Sequence, residues 1–201
     1  MRRFRDLLLG TYSRRSAGSS GSRELLPAII GSQLQDIFVT PPPIKRLTQE
    51  LLDNIAQQAR SSPRLRQNYN LHDVSEKVQR FINVLQPGTY VRPHRHHRTA
   101  GMNGFEFFLV FQGELGMIIM DGYGQILDIE RVSANGSTRG IELPQGTYHT
   151  LIALAPDTVI LELKEGPYEP STDKEFIDTF PAEGTLAAKQ LVETWTLLFH
   201  K

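Results

Sequence analysis

The stretch LQPGTYVRPHRHH, residues 85–97, carries the strongest signal for how this chain folds. It begins with a Pro-Gly turn and ends with three of the six histidines of the chain within four residues. Successive side chains of an extended strand point to opposite faces, so His94 and His96 should face one way and His97 the other. Two imidazoles on one face can bind a single cation, and the stretch therefore predicts a strand that leads into a metal site.

Short apolar segments separated by turn residues follow this stretch and precede it. Turns rich in glycine, proline and asparagine recur about every 8–12 residues, a pattern typical of a β-sandwich or barrel. Eight such segments fit a double-stranded jelly roll, so we expect a mainly β fold. The predicted strands are Val78–Leu85, Thr89–His94, Phe105–Gln112, Leu115–Met120, Ile126–Val132, Gly140–Leu143, Tyr148–Leu154 and Thr158–Lys164.

Two short helices are predicted to flank the strands. Thr48 can cap a helix that runs to about Arg60, and residues 186–200 have apolar side chains on one side. Residues 64–73 are polar and are predicted to cross the domain as a strap. The proline triplet at 41–43 blocks both helix and strand and marks a boundary. We therefore expect a basic, polar N-terminal arm at 1–43, a β domain with its N-terminal helix at 44–185, and a C-terminal helix at 186–201.

The composition excludes several classes of protein. The chain has 201 residues, of which 39% are hydrophobic and 22% are charged, as in an ordinary globular protein. Its 22 basic and 22 acidic side chains cancel, so no overall charge attracts nucleic acid or an anionic membrane. Cysteine is absent, which leaves histidine and carboxylates as the strong metal ligands. We expect neither a nucleic-acid nor a membrane partner.

The first 23 residues bear on location. They contain six arginines against one acid, Asp6, and five serines, a composition typical of organellar transit peptides. The favoured alternative is a disordered basic tail on a cytoplasmic protein. No apolar run approaches the roughly 20 residues that a membrane-spanning helix needs.

Two further residues can complete a metal site. Glu106 lies at the start of the strong strand segment FEFFLVFQG, and His149 follows the tight turn PQG at 144–146. A buried carboxylate is tolerated when a cation neutralises it. Each feature has an alternative: His149 alone can be a hydrogen-bonded core residue, and the cluster at 94–97 can be a basic surface loop.

Together these residues resemble the two motifs of the cupin superfamily. Gly88, His94, His96, Glu106 and Gly113 are similar to the first motif, and the stretch 144–149, which ends at His149, is similar to the second. The resemblance implies that the three histidines and the glutamate bind one divalent metal ion, with iron, manganese, nickel and zinc left open. Nine residues separate His96 from Glu106, where cupins usually have three or four.

Longer strings are similar to one group within that superfamily, the WbuC-type cupin-fold metalloproteins, which bacteria encode beside O-antigen genes. The resemblance spans about residues 47–184 and includes SSPRLRQNYNLH, LPQGTYHTLIAL and LELKEGPYEPSTDKEF. It implies a cupin double-stranded β-helix, that is, a jelly-roll barrel, with short flanking helices. No settled reaction comes with it, so catalytic residues are not assigned.

Side chains near the metal indicate the kind of ligand. Strand alternation places Tyr90 and Arg92 on the face of His94, and Lys164 lies on the last strand. Cationic side chains beside a metal favour an anionic or sugar-like small molecule. The alternative is that the two cations form surface ion pairs and that Tyr90 fills the barrel.

Three functions remain open at this point. The favoured one is a metal-dependent enzyme, of oxygenase or isomerase type, that acts on a small molecule linked to polysaccharide metabolism. The others are a non-catalytic metal-dependent sensor and a structural module in which the metal holds the barrel together. Whether the protein is a homodimer is also left open.

Overall fold

The structure is a computed structural model that describes residues 44–98, 101–167 and 173–200. The predicted arm at 1–43 lies outside the described residues. No helix of the described part is long and apolar enough to cross a membrane.

Ten strands and two helices form the described part of the chain. In chain order the elements are α1 Gln49–Ser61, β1 Arg66–Asn70, β2 Val78–Leu85, β3 His94–Arg95, β4 Glu106–Gln112, β5 Glu114–Met120, β6 Ile126–Ser133, β7 Gly140–Leu143, β8 Tyr148–Ala153, β9 Thr158–Glu165, β10 Glu175–Phe176 and α2 Leu186–Leu197.

The strands pair into two five-stranded antiparallel sheets. The first has the order β1-β2-β9-β4-β7, and the second has the order β10-β3-β8-β5-β6. The inner faces of both sheets contribute to one apolar cluster, with Phe108 and Val110 from the first sheet and Leu115, Met117 and Leu151 from the second. The mainly β, jelly-roll fold predicted from the sequence is confirmed.

Helix α1 covers the outer face of the first sheet. Thr48 caps it, because its hydroxyl accepts from the Leu51 N–H at 3.2 Å. Ile55 and Ala59 pack on the outward side chains of β2, Ile82 and Val84. Full burial of an aliphatic side chain of this kind stabilises a fold by about 1.5–3 kcal/mol.

Helix α2 covers the outer face of the second sheet. Val192, Trp195 and Phe199 pack there against Ile118 and its neighbours on β5 and β8. Gly116 permits this approach, since a Cβ at this position would lie 2.6 Å from the Phe199 ring. The C-terminal helix is therefore part of the same packed body as the barrel.

Two predicted segments differ from the structure. Residues 64–73 contain a true strand, β1, which pairs with β2 over five residues. This strand lies at the edge of the sheet and is half-buried to exposed, so it lacks the apolar alternation that marks a central strand. The strand predicted at Thr89–His94 is wrong: only His94–Arg95 pairs, because Pro93 has no N–H to donate and the preceding residues do not join a ladder.

Candidate metal centre and cavity

Three histidines and one glutamate meet inside one end of the barrel. His94 on β3 lies directly opposite His149 on β8, and Glu106 at the start of β4 reaches them from the first sheet. His96 follows β3. All four are at most 5% exposed, and the imidazole centroid of His94 lies 5.0 Å from that of His96 and 4.7 Å from that of His149. The shared side of His94 and His96 is confirmed, and His97 lies about half exposed near Glu175.

The ring nitrogens of these histidines are oriented by the backbone. The Nδ1 atom of His94 lies 2.9 Å from the Arg92 carbonyl oxygen, that of His96 lies 2.5 Å from the Asp173 carbonyl oxygen, and that of His149 lies 3.0 Å from the Thr147 carbonyl oxygen. A carbonyl oxygen only accepts, so each Nδ1 carries the hydrogen. In a neutral imidazole the Nε2 atom then carries the lone pair. Protein metal ligands are held in this way.

The Nε2 lone pairs face a carboxylate. Glu106 Oε1 lies 3.1 Å from His96 Nε2, and Glu106 Oε2 lies 3.3 Å from His149 Nε2. Burial lowers the pKa of His94 well below its usual value and also lowers that of His149, which keeps both rings neutral. Burial opposes ionisation of Glu106, but His149, His96 and Lys164 together lower the pKa of its carboxyl overall. With its hydrogen on Nδ1, a neutral imidazole presents only an acceptor at Nε2, so it repels this carboxylate unless a proton or a cation lies between them.

Imidazole nitrogens and a carboxylate are donor types that divalent transition metals accept. No group of three or more histidine or acidic side chains in the described residues meets the full geometric requirement of a metal site. The separations of Glu106 from His96 and from His149, 3.1 and 3.3 Å, nevertheless suit shared ligation. Two atoms about 2.1 Å from one ion and at right angles are roughly 3.0 Å apart. His96 Nε2 is buried without a hydrogen-bond partner among the described residues. A cation between these atoms would accept the lone pair of His96 Nε2. It would also attract the carboxylate, which otherwise repels the imidazole lone pairs.

The segment before β10 holds His96 in place. The Asp173 carbonyl oxygen contacts His96, and the residue is only 2% exposed. Its carboxylate accepts hydrogen bonds from Lys164 Nζ at 2.8 Å and from Arg98 Nη2 at 2.9 Å. Sequence reasoning missed Asp173, since nothing in its neighbourhood distinguishes it from a surface acid.

A cavity of about 400 Å³ opens beside the four residues. Three of them line it, namely His94, Glu106 and His149, and so does Lys164. Polar side chains of β1, β2 and β9 also line it, among them Asn68, Asn83 and Glu162. The volume is that of a small-molecule pocket.

Tyr90 and Arg92 do not line this cavity. Tyr90 lies on the outer side of the second sheet, where it stacks on Trp195 and its hydroxyl donates to the Pro181 carbonyl oxygen at 3.0 Å. Val91 faces the barrel interior instead. The face predicted for Tyr90 is therefore wrong, because the irregular backbone before Pro93 does not keep the alternation of a strand.

Arg92 lies over the Phe176 ring, with Cζ 5.0 Å from its centroid, and donates to the Ile177 carbonyl oxygen at 3.3 Å. Arg92 was predicted to lie beside the metal, where it could bind a substrate. The structure does not support this position, because Arg92 is not among the residues that line the cavity.

The similarity of this chain to known proteins is low. Residues 47–132, less than half of the chain, match a family described as a domain of unknown function (DUF6016). No curated protein is significantly similar. Among solved structures, KdgF from Halomonas sp. is 20% identical with a TM-score of 0.40, over 53% of this chain and 82% of that one.

Oxalate decarboxylase from Bacillus subtilis is 18% identical with a TM-score of 0.42, over 55% of this chain and 27% of its own length. A cupin superfamily protein from Desulfitobacterium hafniense is 15% identical with a TM-score of 0.38, over 50% of this chain and 76% of that one. No statement about substrate or reaction rests on similarities this low, and the WbuC-type subfamily stays a prediction.

Proposed function

We propose that this chain is a divalent-metal enzyme that acts on a small anionic molecule in the barrel cavity. The observation that carries the proposal is the set of three buried histidines whose Nδ1 atoms all face backbone carbonyls, so that Nε2 of His96 and of His149 faces Glu106. These four residues would hold the ion, and iron, manganese, nickel and zinc all accept such a set. A bound ion of this kind polarises a ligand oxygen as a Lewis acid.

The cavity supports an open metal site over a purely structural one. His94, Glu106 and His149 each expose part of their surface to it. A structural ion is enclosed by protein ligands, whereas a catalytic ion keeps a position for water or substrate. The arrangement therefore favours a site that a small molecule can reach.

Glu162 favours an enzyme over a sensor. Burial raises the pKa of its carboxyl, with a further increase from Glu106 that Lys164 opposes. It lines the same cavity as the candidate ligands. A carboxyl with a raised pKa in such a place is suited to take up and release a proton during a reaction. The resemblance to WbuC-type proteins would connect this chemistry with polysaccharide metabolism.

Metal content tests the proposal. Protein produced without a histidine tag should contain about one metal ion per chain by elemental analysis. His94→Ala, His96→Ala and His149→Ala should each lose it, because each removes a ligand. His97→Ala is the matched control and should keep it. A folded, metal-free wild type would contradict the proposal, as would metal loss in His97→Ala with retention in His96→Ala.

Turnover separates the enzyme from the sensor. Metal-loaded protein is screened by thermal shift against small metabolites, and each stabilising compound is then incubated with the protein and followed by NMR. The enzyme should convert at least one of them, and Glu162→Gln should slow that conversion while retaining the metal. Stabilising compounds that are all recovered unchanged would favour the sensor.

A further inference from the structure

Strand β1 has a free edge. It is the last strand of the first sheet, and no strand of the described residues pairs with its other side. Its sequence, RQNYN at 66–70, contains neither proline nor lysine, and its register with β2 is unbroken. Proline, lysine and bulges are features that keep an edge strand from pairing with another chain. Residues 68–70 are exposed, so a second strand can reach this edge.

The backbone groups on the free edge can be assigned by residue. The Leu71 N–H donates to the Arg80 carbonyl oxygen at 2.9 Å, and the Gln86 N–H donates to the Leu65 carbonyl oxygen at 2.9 Å. In an antiparallel pair every second residue exchanges backbone hydrogen bonds with its neighbour, so the odd-numbered residues of β1 bond to β2. The even-numbered residues therefore direct their N–H and C=O groups to the free edge. These are Arg66, Asn68 and Asn70.

A second copy of the chain can pair with this edge about a twofold axis. When Asn68 lies opposite its own copy, Gln67 lies opposite Tyr69 and Arg66 lies opposite Asn70. The even-numbered residues of both strands then meet as hydrogen-bonded pairs. The Asn68 carbonyl oxygen accepts from Gln67 Nε2 at 3.1 Å and can accept a second hydrogen bond from the other copy.

The charge on β1 does not oppose this pairing. Arg66 is the one charged residue of RQNYN, and the pairing places it opposite Asn70. Its guanidinium already lies 2.7 Å from the Glu183 carboxylate of its own chain. The two copies of Arg66 are therefore neither opposite each other nor unneutralised.

Strand β6, which ends the second sheet, is less suited to such pairing. A twofold pair centred on Ile129 would place Asp128 opposite Glu130 of the other copy. Centring the pair on either acid would place that acid opposite itself. Like charges directly opposite are destabilising, so β1 is the better edge for a second copy.

Exposed apolar side chains flank the free edge of β1. Tyr69 lies on the strand, and Ile44 and Leu47 precede α1. Lys45 Nζ donates to the Leu71 carbonyl oxygen at 2.8 Å, which places this segment beside the end of β1. Grouped exposed apolar side chains are typical of a contact surface. They would add apolar area to the backbone hydrogen bonds.

We propose that two copies of this chain associate through β1, with Asn68 on the twofold axis, so that their first sheets join into one antiparallel sheet. Directly opposite residues of antiparallel strands face the same side of the sheet. Asn68 and Asn70 line the cavity, and the same residues of the second copy would extend its wall. The second copy thus contributes to the site. The inference does not depend on the metal.

Single cysteines test the register. The chain has no cysteine, so any disulfide must come from the substitution. In Asn68→Cys the two substituted positions lie directly opposite, with Cα atoms about 5.5 Å apart, which suits a disulfide. In Asn70→Cys they are offset by four residues, roughly 14 Å, which is too far.

The full-length variants are oxidised mildly and compared on a non-reducing gel. Asn68→Cys should form a covalent dimer, and Asn70→Cys should form at least tenfold less of it. Equal cross-linking of the two variants, or none in Asn68→Cys, would overturn the proposal.

The mass in solution tests the interface itself. By light scattering, the native full chain should have twice the mass of one chain. Asn68→Pro removes an N–H that is directed at the second copy and none that bonds β2, so it should be a folded monomer. Asn68→Ala retains that N–H and should stay a dimer. A monomeric native chain, or a dimer that survives Asn68→Pro, would overturn the proposal; if Asn68→Pro does not fold, the comparison of the two cysteine variants decides.

Discussion

Asp173→Asn tests whether the segment before β10 holds both the fold and the metal centre. The Asp173 carboxylate accepts from two almost fully buried cations, Lys164 at 2.8 Å and Arg98 at 2.9 Å. Removal of one partner from a buried ion pair costs about 3–5 kcal/mol. Asparagine retains one acceptor, and Glu162 lies 3.8 Å from Lys164, so we expect the low end of that range, about 3 kcal/mol.

The metal centre should respond to the same substitution. Asp173 accepts from His96 Nδ1 through its backbone, so displacement of the segment would release the ring. Loss of such an outer partner typically lowers metal affinity about 10- to 100-fold. Urea unfolding of the metal-free protein measures the first effect, and zinc competition against a chelator measures the second.

A matched control lies on the other side of β10. Asp178 is fully exposed, and its contact with Arg92 spans 3.9 Å, so Asp178→Asn should change neither quantity measurably. A loss of less than about 1 kcal/mol in Asp173→Asn would refute the structural argument. A large stability loss with unchanged zinc affinity would show that His96 is oriented independently of Asp173.

Two further predictions concern the packing and the pH response of the fold. Gly116→Ala should destabilise the protein by about 1–3 kcal/mol in urea unfolding, because the new Cβ would meet the Phe199 ring. Gly122→Ala is the control, since a Cβ there would lie 3.6 Å from its nearest neighbour. An equal loss of stability in both variants would contradict the argument. Burial opposes ionisation of Glu183, but Arg64 and Arg66 together lower the pKa of its carboxyl. The ionised carboxylate therefore stabilises the fold above the pKa that Glu183 has in the unfolded chain. This stabilisation is lost as the pH falls through the lower pKa of the folded state. The acid side of the stability profile should therefore flatten in Glu183→Gln, and an unchanged profile would contradict this.

Local sequence signals determined most of the barrel and one helix. The strands at Val78–Leu85 and Gly140–Leu143 lie where the alternation and the turns predict them, and Thr48 caps α1 as predicted. These features depend on residues close together in the chain, namely a period of two, a Gly- or Pro-containing turn and a hydroxyl before a helix.

The same local rules brought the four candidate ligands to attention. His94 and His96 lie two residues apart, Glu106 and His149 lie at the starts of predicted strands, and the similarity to the cupin motifs grouped the four. The structure brings all four together inside the barrel. Their role as metal ligands stays a prediction.

Only the tertiary structure decided which residues face the cavity. Strand β1 is polar and half-buried to exposed, and it is a strand because β2 pairs with it. Tyr90 faces outward because the backbone before Pro93 is irregular, and alternation predicts a face only within a regular strand. Asp173 acquires its role from two partners that folding brings near, Lys164 and Arg98. Contacts of this kind depend on how the sheets close, and no periodicity along the chain encodes them.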